Sequence, residues 1–174
     1  MQRTVINLLR DAAAKYKHTP YLNQKGENGW DSKTFAQVLA EAGNFAAALI
    51  HSGFEPNDRI ALLAEGRNDW VITEYGILMA GCVNVPLSIK LLPEEIIFRL
   101  RHAACKGMII SSNTIEKAIQ SLDKVDHDHI RLIYMDADIS AYIPLLNEHG
   151  LELDTHVLML NEMYAFGAAS TPEM

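Results

Sequence analysis

The sequence has few of the features that mark secreted, membrane-spanning or disulfide-rich proteins. Its only two cysteines, Cys82 and Cys105, fall inside apolar stretches. A buried, reduced thiol is therefore favoured for each over a disulfide or a shared metal, and reduced thiols are typical of the cytoplasm. No stretch reaches the roughly 20 consecutive apolar residues of a membrane helix. Asn7, Arg10 and Asp11 interrupt the apolar residues near Met1, which argues against a secretory signal.

Positive charge is absent from the last quarter of the chain, because no Lys or Arg follows Arg131. Seven of the 22 acidic residues lie in that segment, so residues 1–131 carry 15 acidic and all 15 basic residues. This balance provides no basic patch for nucleic acid or anionic lipid, and we expect neither as a partner. A solvated face is the favoured interpretation of the acidic segment 132–174, and a contact with a basic surface elsewhere in a longer protein is the alternative.

Several nucleotide and hydrolase motifs are also missing. The sequence contains no GxxxxGK[ST] phosphate loop and no GxGxxG between a strand and a helix. A GxSxG nucleophile elbow is absent too, so nothing supports a serine hydrolase.

What the chain does contain is the composition of an ordinary globular domain. Its 174 residues are 49% apolar and 21% charged, enough for a core but short for two domains. Helical periodicity predicts a first helix from Val5 to Tyr16 with Thr4 as its N-cap. A short hairpin follows around Gly26 and Gly29.

A second helix is predicted from Phe35 to Ile50, where apolar residues recur every three or four positions. Thr34 and Gln37 form the pattern of a capping box at its start, and Gly53 suits the left-handed position beyond its end.

After Gly53, short apolar runs alternate with amphipathic segments. Strands are predicted at 59–64, 82–85, 108–111 and 130–135, and helices begin near Asn68 (as N-cap), Pro93 and Asn113. Buried strands separated by helices predict an α/β fold, a parallel, doubly wound sheet with flanking helices on both faces.

We expect a single α/β domain in three parts, with the helix and hairpin in 1–33, the α/β core in 34–135 and the acidic tail in 136–174. Pro144 interrupts the tail. Its apolar run from Val157 to Phe166 is compatible with a helix or an irregular segment.

A few polar and aromatic residues are functional candidates. His127 and His129 alternate in an extended segment and could share an ion, but a polar surface turn is favoured because no further Cys/His cluster completes a site. Asp58 and Arg59 begin a strand, opposite the edge where ligands bind, which favours a role in holding the turn over anion binding. Trp70 is favoured as a core anchor over a stacking platform.

Four segments, in the same order and spacing, resemble the adenylate-forming enzymes. They are Thr34-Phe35 with Val38-Leu39, Gly53 with Asn57-Asp58-Arg59-Ile60-Ala61, Asn68-Asp69-Trp70, and Ala80-Gly81-Cys82-Val83-Asn84-Val85-Pro86-Leu87. The second segment has Asn57 where the family usually has glycine. The resemblance runs from about Asn7 to Met135. Within the family, Val85–Leu91 and Phe98–Ala103 look most like long-chain fatty acyl-CoA ligases.

The resemblance implies the N-terminal fragment of an AMP-forming acyl-CoA synthetase. Such enzymes join a carboxylate to the α-phosphate of ATP and then transfer the acyl group to CoA, with Mg²⁺. The family's Ser/Thr/Gly-rich loop, ribose-binding Asp and C-terminal lysine have no match here. We therefore assign no catalytic, cofactor-binding or metal-binding residue. We expect the fragment to be inactive, to bind ATP, Mg²⁺ and CoA weakly at most, and to self-associate through exposed apolar surface.

Two alternatives stay open at this stage. Asp136, at the end of a predicted strand, is the one feature that favours a stand-alone binding or regulatory module of the receiver type. Part of an adenylation domain for amino or aryl acids is the other alternative.

Overall fold

The structure is a computed structural model that describes residues 4–26, 29–122, 124–125 and 130–170. Its centre is a five-stranded parallel sheet with the strand order β4-β3-β5-β6-β7. The sheet strands are β3 (Arg59–Leu63), β4 (Val83–Pro86), β5 (Gly107–Ile110), β6 (Arg131–Tyr134) and β7 (Val157–Met159). A separate antiparallel hairpin consists of β1 (Pro20–Gly26) and β2 (Gly29–Thr34).

Helices cover both faces of the sheet, which confirms the doubly wound α/β fold. They are α1 (Val5–Lys15), α2 (Phe35–His51), α3 (Asn68–Met79), α4 (Pro93–Ala103), α5 (Ile115–Leu122), α6 (Ile143–Glu148) and α7 (Leu160–Ser170). The α2–α3 and α2–α7 pairs have the most extensive helix–helix contacts. Within the described part of the chain, no helix is long and apolar enough to cross a membrane.

Side-chain alternation along the strands divides the core into two clusters. Ala61 and Leu63 point into one cluster with α4, α5 and α6, whereas Ile60 and Leu62 point into the other with α2, α3 and α7. Both cysteines are buried and free of disulfides, as predicted. Burial raises the pKa of both thiols, that of Cys105 to about 11.

The local signals at the helix ends are confirmed. The Thr34 hydroxyl accepts a hydrogen bond from the Gln37 N–H at 3.3 Å, and the Gln37 side chain accepts one from the Thr34 N–H at 2.8 Å. Thr4 caps α1 through the Asn7 N–H at 3.2 Å. Gly53 adopts a positive φ of 87°, the left-handed conformation expected after α2.

The prediction that Asn68 caps α3 is wrong. Arg67 occupies the N-cap position and makes no side-chain cap hydrogen bond. The Asn68 amide instead donates to the backbone oxygen and carboxylate of Asp31, at 3.1 and 3.2 Å. Its backbone N–H is satisfied by the Gln24 Oε1 at 2.8 Å. The hairpin therefore supplies the acceptor that a capping side chain would normally provide.

The tail is more regular than its sequence suggested. Val157–Phe166 is neither one helix nor irregular, because its first three residues form β7 beside β6 and α7 begins at Leu160. Pro144 lies in the first turn of α6, where its missing N–H leaves no helical hydrogen bond unmade.

Candidate functional site at the carboxyl ends of the strands

At the amino ends of the strands, Asp58 and Arg59 hold a turn together, as predicted. The Asp58 carboxylate accepts the Glu55 N–H at 2.9 Å and pairs with Lys106 at 2.7 Å. Arg59 donates to the backbone oxygens of Asn57 and Ala104, at 3.3 and 3.4 Å. These contacts use the Asp58 carboxylate and both terminal nitrogens of Arg59 within the protein itself.

The carboxyl ends of β3, β5 and β6 form the opposite edge, where open α/β sheets bind ligands. The chain leaves β3 toward β4 on one side, whereas β5 and β6 lie on the other side, so the strand order reverses between β3 and β5. Polar residues follow each of the three strands at this switch point.

Arg67 is the centre of this edge. Its guanidinium lies 2.5 Å from Asp136 after β6, 3.2 Å from Asp69 in α3 and 3.7 Å from Glu65 after β3. The Arg67 side chain is 17% exposed. Among the described residues, its buried Nε has no hydrogen-bond partner. One cation therefore holds together three carboxylates from three segments of the chain.

Two serines after β5 complete this cluster. The Ser112 N–H donates to the second oxygen of Asp136 at 2.7 Å, and the Ser111 hydroxyl donates to Glu65 at 2.6 Å. The network continues weakly to α7, because the Tyr164 hydroxyl lies 3.4 Å from the Asp69 carboxylate. Residues after β3, β5 and β6 are thus linked to each other and to α7.

The electrostatics of the cluster keep Asp136 and Arg67 charged. Burial alone would raise the pKa of Asp136, but the Ser112 N–H and the Arg67 guanidinium lower it. Burial alone would lower the pKa of Arg67, but Asp136, Asp69 and Glu65 raise it. Burial and the charge of Asp69 both raise the pKa of Tyr164 well above its usual range, so this phenol stays protonated.

This arrangement is suited to holding strand ends together and unsuited to phosphate binding. Three carboxylates surround one guanidinium, so the local charge repels a polyphosphate. No group of three or more His, Cys, Asp or Glu side chains in the described part of the chain could hold a metal ion. Both oxygens of Asp136 are engaged, and Ser111 is hydrogen-bonded to a carboxylate.

The other sequence candidates lie away from this cluster or cannot be placed. Trp70 is partly buried against the core cluster of α2, α3 and α7. His127 and His129 lie outside the described residues. Sequence reasoning singled out Asp136 but missed Arg67, Glu65 and Ser112. Their signal was available, because polar residues follow three neighbouring buried strands within a few positions.

A sequence profile of the family described as AMP-binding enzyme matches residues 9–164. The chain belongs to the AMP-binding enzyme family. This confirms the resemblance to adenylate-forming acyl-CoA synthetases that the four sequence segments carried.

Curated relatives within the AMP-binding family include acyl-CoA ligases. The long-chain-fatty-acid–CoA ligase of Bacillus subtilis is 26% identical over 156 residues, which cover 87% of this chain and 27% of that protein. The ligase of the same name from Salmonella typhimurium is 28% identical over 143 residues, covering 80% of this chain and 24% of that protein. The chain thus spans about a quarter of the length of these relatives.

Several solved structures share the fold. The A-PCP didomain of the carboxylic acid reductase from Segniliparus rugosus, in complex with AMP, matches with a TM-score of 0.84 and 16% identity. It covers 100% of this chain and 28% of that one. A benzoate CoA ligase from Burkholderia xenovorans matches with a TM-score of 0.73 and 20% identity, covering 94% and 28% of the two chains. At these identities the likeness concerns the fold alone.

Proposed function

We propose that this chain is the N-terminal α/β portion of a long-chain fatty acyl-CoA ligase. The parent enzyme would activate a fatty carboxylate with ATP and Mg²⁺ to an acyl-adenylate and transfer the acyl group to CoA. The observation that carries the proposal is the family match over residues 9–164, together with relatives named as long-chain-fatty-acid–CoA ligases.

The chain's own part in this reaction would be structural, and we propose no catalytic, cofactor-binding or metal-binding residue in it. The cluster around Arg67 supports this, because it places three carboxylates at the edge where the nucleotide phosphates would otherwise be expected. The donors that bear phosphate charge during transfer would come from parts of the parent enzyme outside these residues. The 174-residue chain alone would therefore be inactive.

We further propose that residues 1–174 form one α/β unit and that the parent enzyme is cytoplasmic. The shared sheet that separates the two core clusters supports the first point. The two buried cysteines, neither in a disulfide, support the second.

The test compares two products of the same gene. The reading frame is followed past the codon for Met174, and the longer product and the 174-residue chain are purified side by side. Each is assayed for acyl-CoA formed from ATP, Mg²⁺ and CoA with fatty acids of increasing length, benzoate and anthranilate. We expect thioester from palmitate with the longer product and none with the 174-residue chain.

Other outcomes would overturn parts of the proposal. Thioester formation by the 174-residue chain would refute its inactivity. A preference for benzoate or anthranilate would replace the fatty acid specificity with an aryl one, as the benzoate and anthranilate CoA ligases among the structural matches allow. A stop codon directly after Met174 would remove the ligase role from this protein.

The receiver-type alternative is disfavoured by the geometry of Asp136. One of its oxygens pairs with Arg67 and the other accepts the Ser112 N–H, so neither is free to attack a phosphodonor. Stoichiometric labelling of Asp136 by acetyl phosphate would restore that alternative.

A further inference from the structure

An apolar groove of about 630 Å³ lies between α1 and α2. The Lys17 backbone oxygen accepts the Ala36 N–H at 3.3 Å, which places the end of α1 beside the start of α2. Further along, Leu9 of α1 packs in one cluster with Ala42 of α2. The two helices therefore run antiparallel, and the groove follows them from Lys17 toward the first half of α1.

The walls of the groove are small and apolar. Most of its lining residues are alanine or glycine, namely Ala13, Ala14, Ala36, Ala40 and Gly43. A Cβ at Gly43 would meet nothing within 4 Å, so α2 faces open space there. Between Ala36 and Asn44, α2 rises about 12 Å, the length of an extended alkyl chain of about ten carbons. The groove thus matches an unbranched apolar chain of that length.

The charge along the groove is positive. Arg10 and Lys17 line it, and none of the described residues that line it is acidic. Both cations are exposed, and neither takes part in an ion pair with any residue that the structure describes. Lys17 lies beside the first turn of α2, which carries no acidic residue to offset the positive end of the helix dipole. The Lys17 end of the groove is therefore the place for an anionic group.

We propose that the α1–α2 groove binds a free fatty carboxylate of about ten carbons, as a site separate from the Arg67 cluster. The alkyl chain lies along the alanines and Gly43, and the carboxylate pairs with Lys17. The aliphatic part of Arg10 covers the far end of the chain while its guanidinium stays in water. The proposal does not rest on the ligase function, because this binding needs neither ATP nor CoA.

The test follows the backbone amides of the isotope-labelled 174-residue chain by NMR. Hexanoate, octanoate, decanoate and dodecanoate are added separately, each below the concentration at which it forms micelles. We expect shifts confined to amides of α1 and α2 around the groove. Affinity should rise by about twofold to fourfold per methylene up to decanoate. It should level off at dodecanoate, because the additional carbons extend beyond the groove.

Filling the groove should abolish binding. Gly43→Leu places a branched side chain in the open space in front of α2, where no atom opposes it within 4 Å of the Cβ position. We expect decanoate to bind this variant at least about tenfold more weakly than the wild type. Circular dichroism and the amide spectrum check that the variant is folded.

The charge is tested separately from the apolar contact. Lys17→Gln should weaken the binding of decanoate by about threefold and leave that of decanol, which has no charge, unchanged. Lys15→Gln is the matched control, because Lys15 does not line the groove and its Nζ lies 5.0 Å from the centre of the Tyr16 ring. That variant should bind decanoate like the wild type.

Three outcomes would overturn the proposal. If decanoate shifts no amide of α1 or α2, the groove is not its site. If Gly43→Leu binds decanoate as tightly as the wild type, the carboxylate occupies another surface. If the groove amides respond to dilution of the protein and not to decanoate, a second copy of the chain covers the groove instead. Each outcome is read from the 174-residue chain alone and is independent of whether the longer gene product makes acyl-CoA.

Discussion

At the scale of single residues, Arg67 has the most consequential position in the structure. It connects its sequence neighbours Glu65 and Asp69 with Asp136, which is distant in sequence, and it does so at the switch point of the sheet. Removing the cation would leave Asp136, Asp69 and Glu65 close to one another without compensation. The resulting loss of folding free energy would include the repulsion and the desolvation of the carboxylates as well as the broken hydrogen bonds.

We expect Arg67→Met to lower the free energy of unfolding by about 2 kcal/mol. This is less than the roughly 3–5 kcal/mol for breaking a fully buried pair, because the partners keep some access to water. Urea unfolding followed by circular dichroism measures the change. Arg99→Met is the control, since Arg99 on α4 is half-buried, donates to the Glu95 backbone oxygen at 3.0 Å and forms no ion pair with any described residue. Equal stability losses in the two variants would contradict the structural role of Arg67.

The lowered pKa of Asp136 makes part of the stability depend on pH. Its pKa in the folded protein lies below the unfolded value of about 3.9. The stabilisation is therefore complete above that value and is lost as the pH falls through the folded pKa. Urea unfolding is measured between pH 6 and pH 3. Over this range the free energy of unfolding should fall less in Asp136→Asn than in the wild type. If the free energy of unfolding depends on pH with the same slope in both proteins, Asp136 is not the source of the pH dependence.

At the scale of elements, the contact between α2 and α3 depends on a glycine. A Cβ at Gly76 would lie 2.6 Å from the Phe45 Cδ1 atom and 2.9 Å from the Ala42 backbone oxygen. The ring can move, but the carbonyl is fixed by its helix. Gly76 thus sets how closely the two helices approach, although glycine is otherwise unfavourable within a helix.

We expect Gly76→Ala to destabilise the chain by roughly 1–2 kcal/mol, because the overpacking outweighs the helix propensity gained. Gly43→Ala in α2 is the matched comparison, since a Cβ there meets nothing within 4 Å. That variant should be more stable by about 0.5–1 kcal/mol. Thermal and urea unfolding at one low protein concentration measure both. Stabilisation of both variants would show that α2 and α3 pack less closely than the structure has them.

At the scale of the whole molecule, the two core clusters share one sheet. Each strand sends alternate side chains into both clusters, so neither cluster can lose its packing without disturbing the strands that support the other. The chain spans about a quarter of the length of its curated relatives, yet its sheet has helices on both faces.

We therefore expect the 174-residue chain to unfold as one cooperative unit. Trp70 packs against the cluster of α2, α3 and α7, so its fluorescence reports on that side, whereas far-ultraviolet circular dichroism reports on all helices. Trp30 is 70% exposed and does not report on the core, so its fluorescence is removed with the substitution Trp30→Phe. The two urea transitions should coincide. A fluorescence change that precedes the loss of helix would indicate two separately unfolding parts.

The sequence by itself determined the local structure and the family. Capping at Thr34, the left-handed Gly53 and the alternation of buried strands with helices depend on residues close in sequence, so local rules predict them. The tertiary structure alone decided the role of Asn68, the short strand β7 and the cluster around Arg67. Each depends on a partner far away in the chain: the hairpin for Asn68, β6 for β7, and Asp136 for Arg67. Periodicity describes which side of an element is buried, but it does not identify the element that covers it.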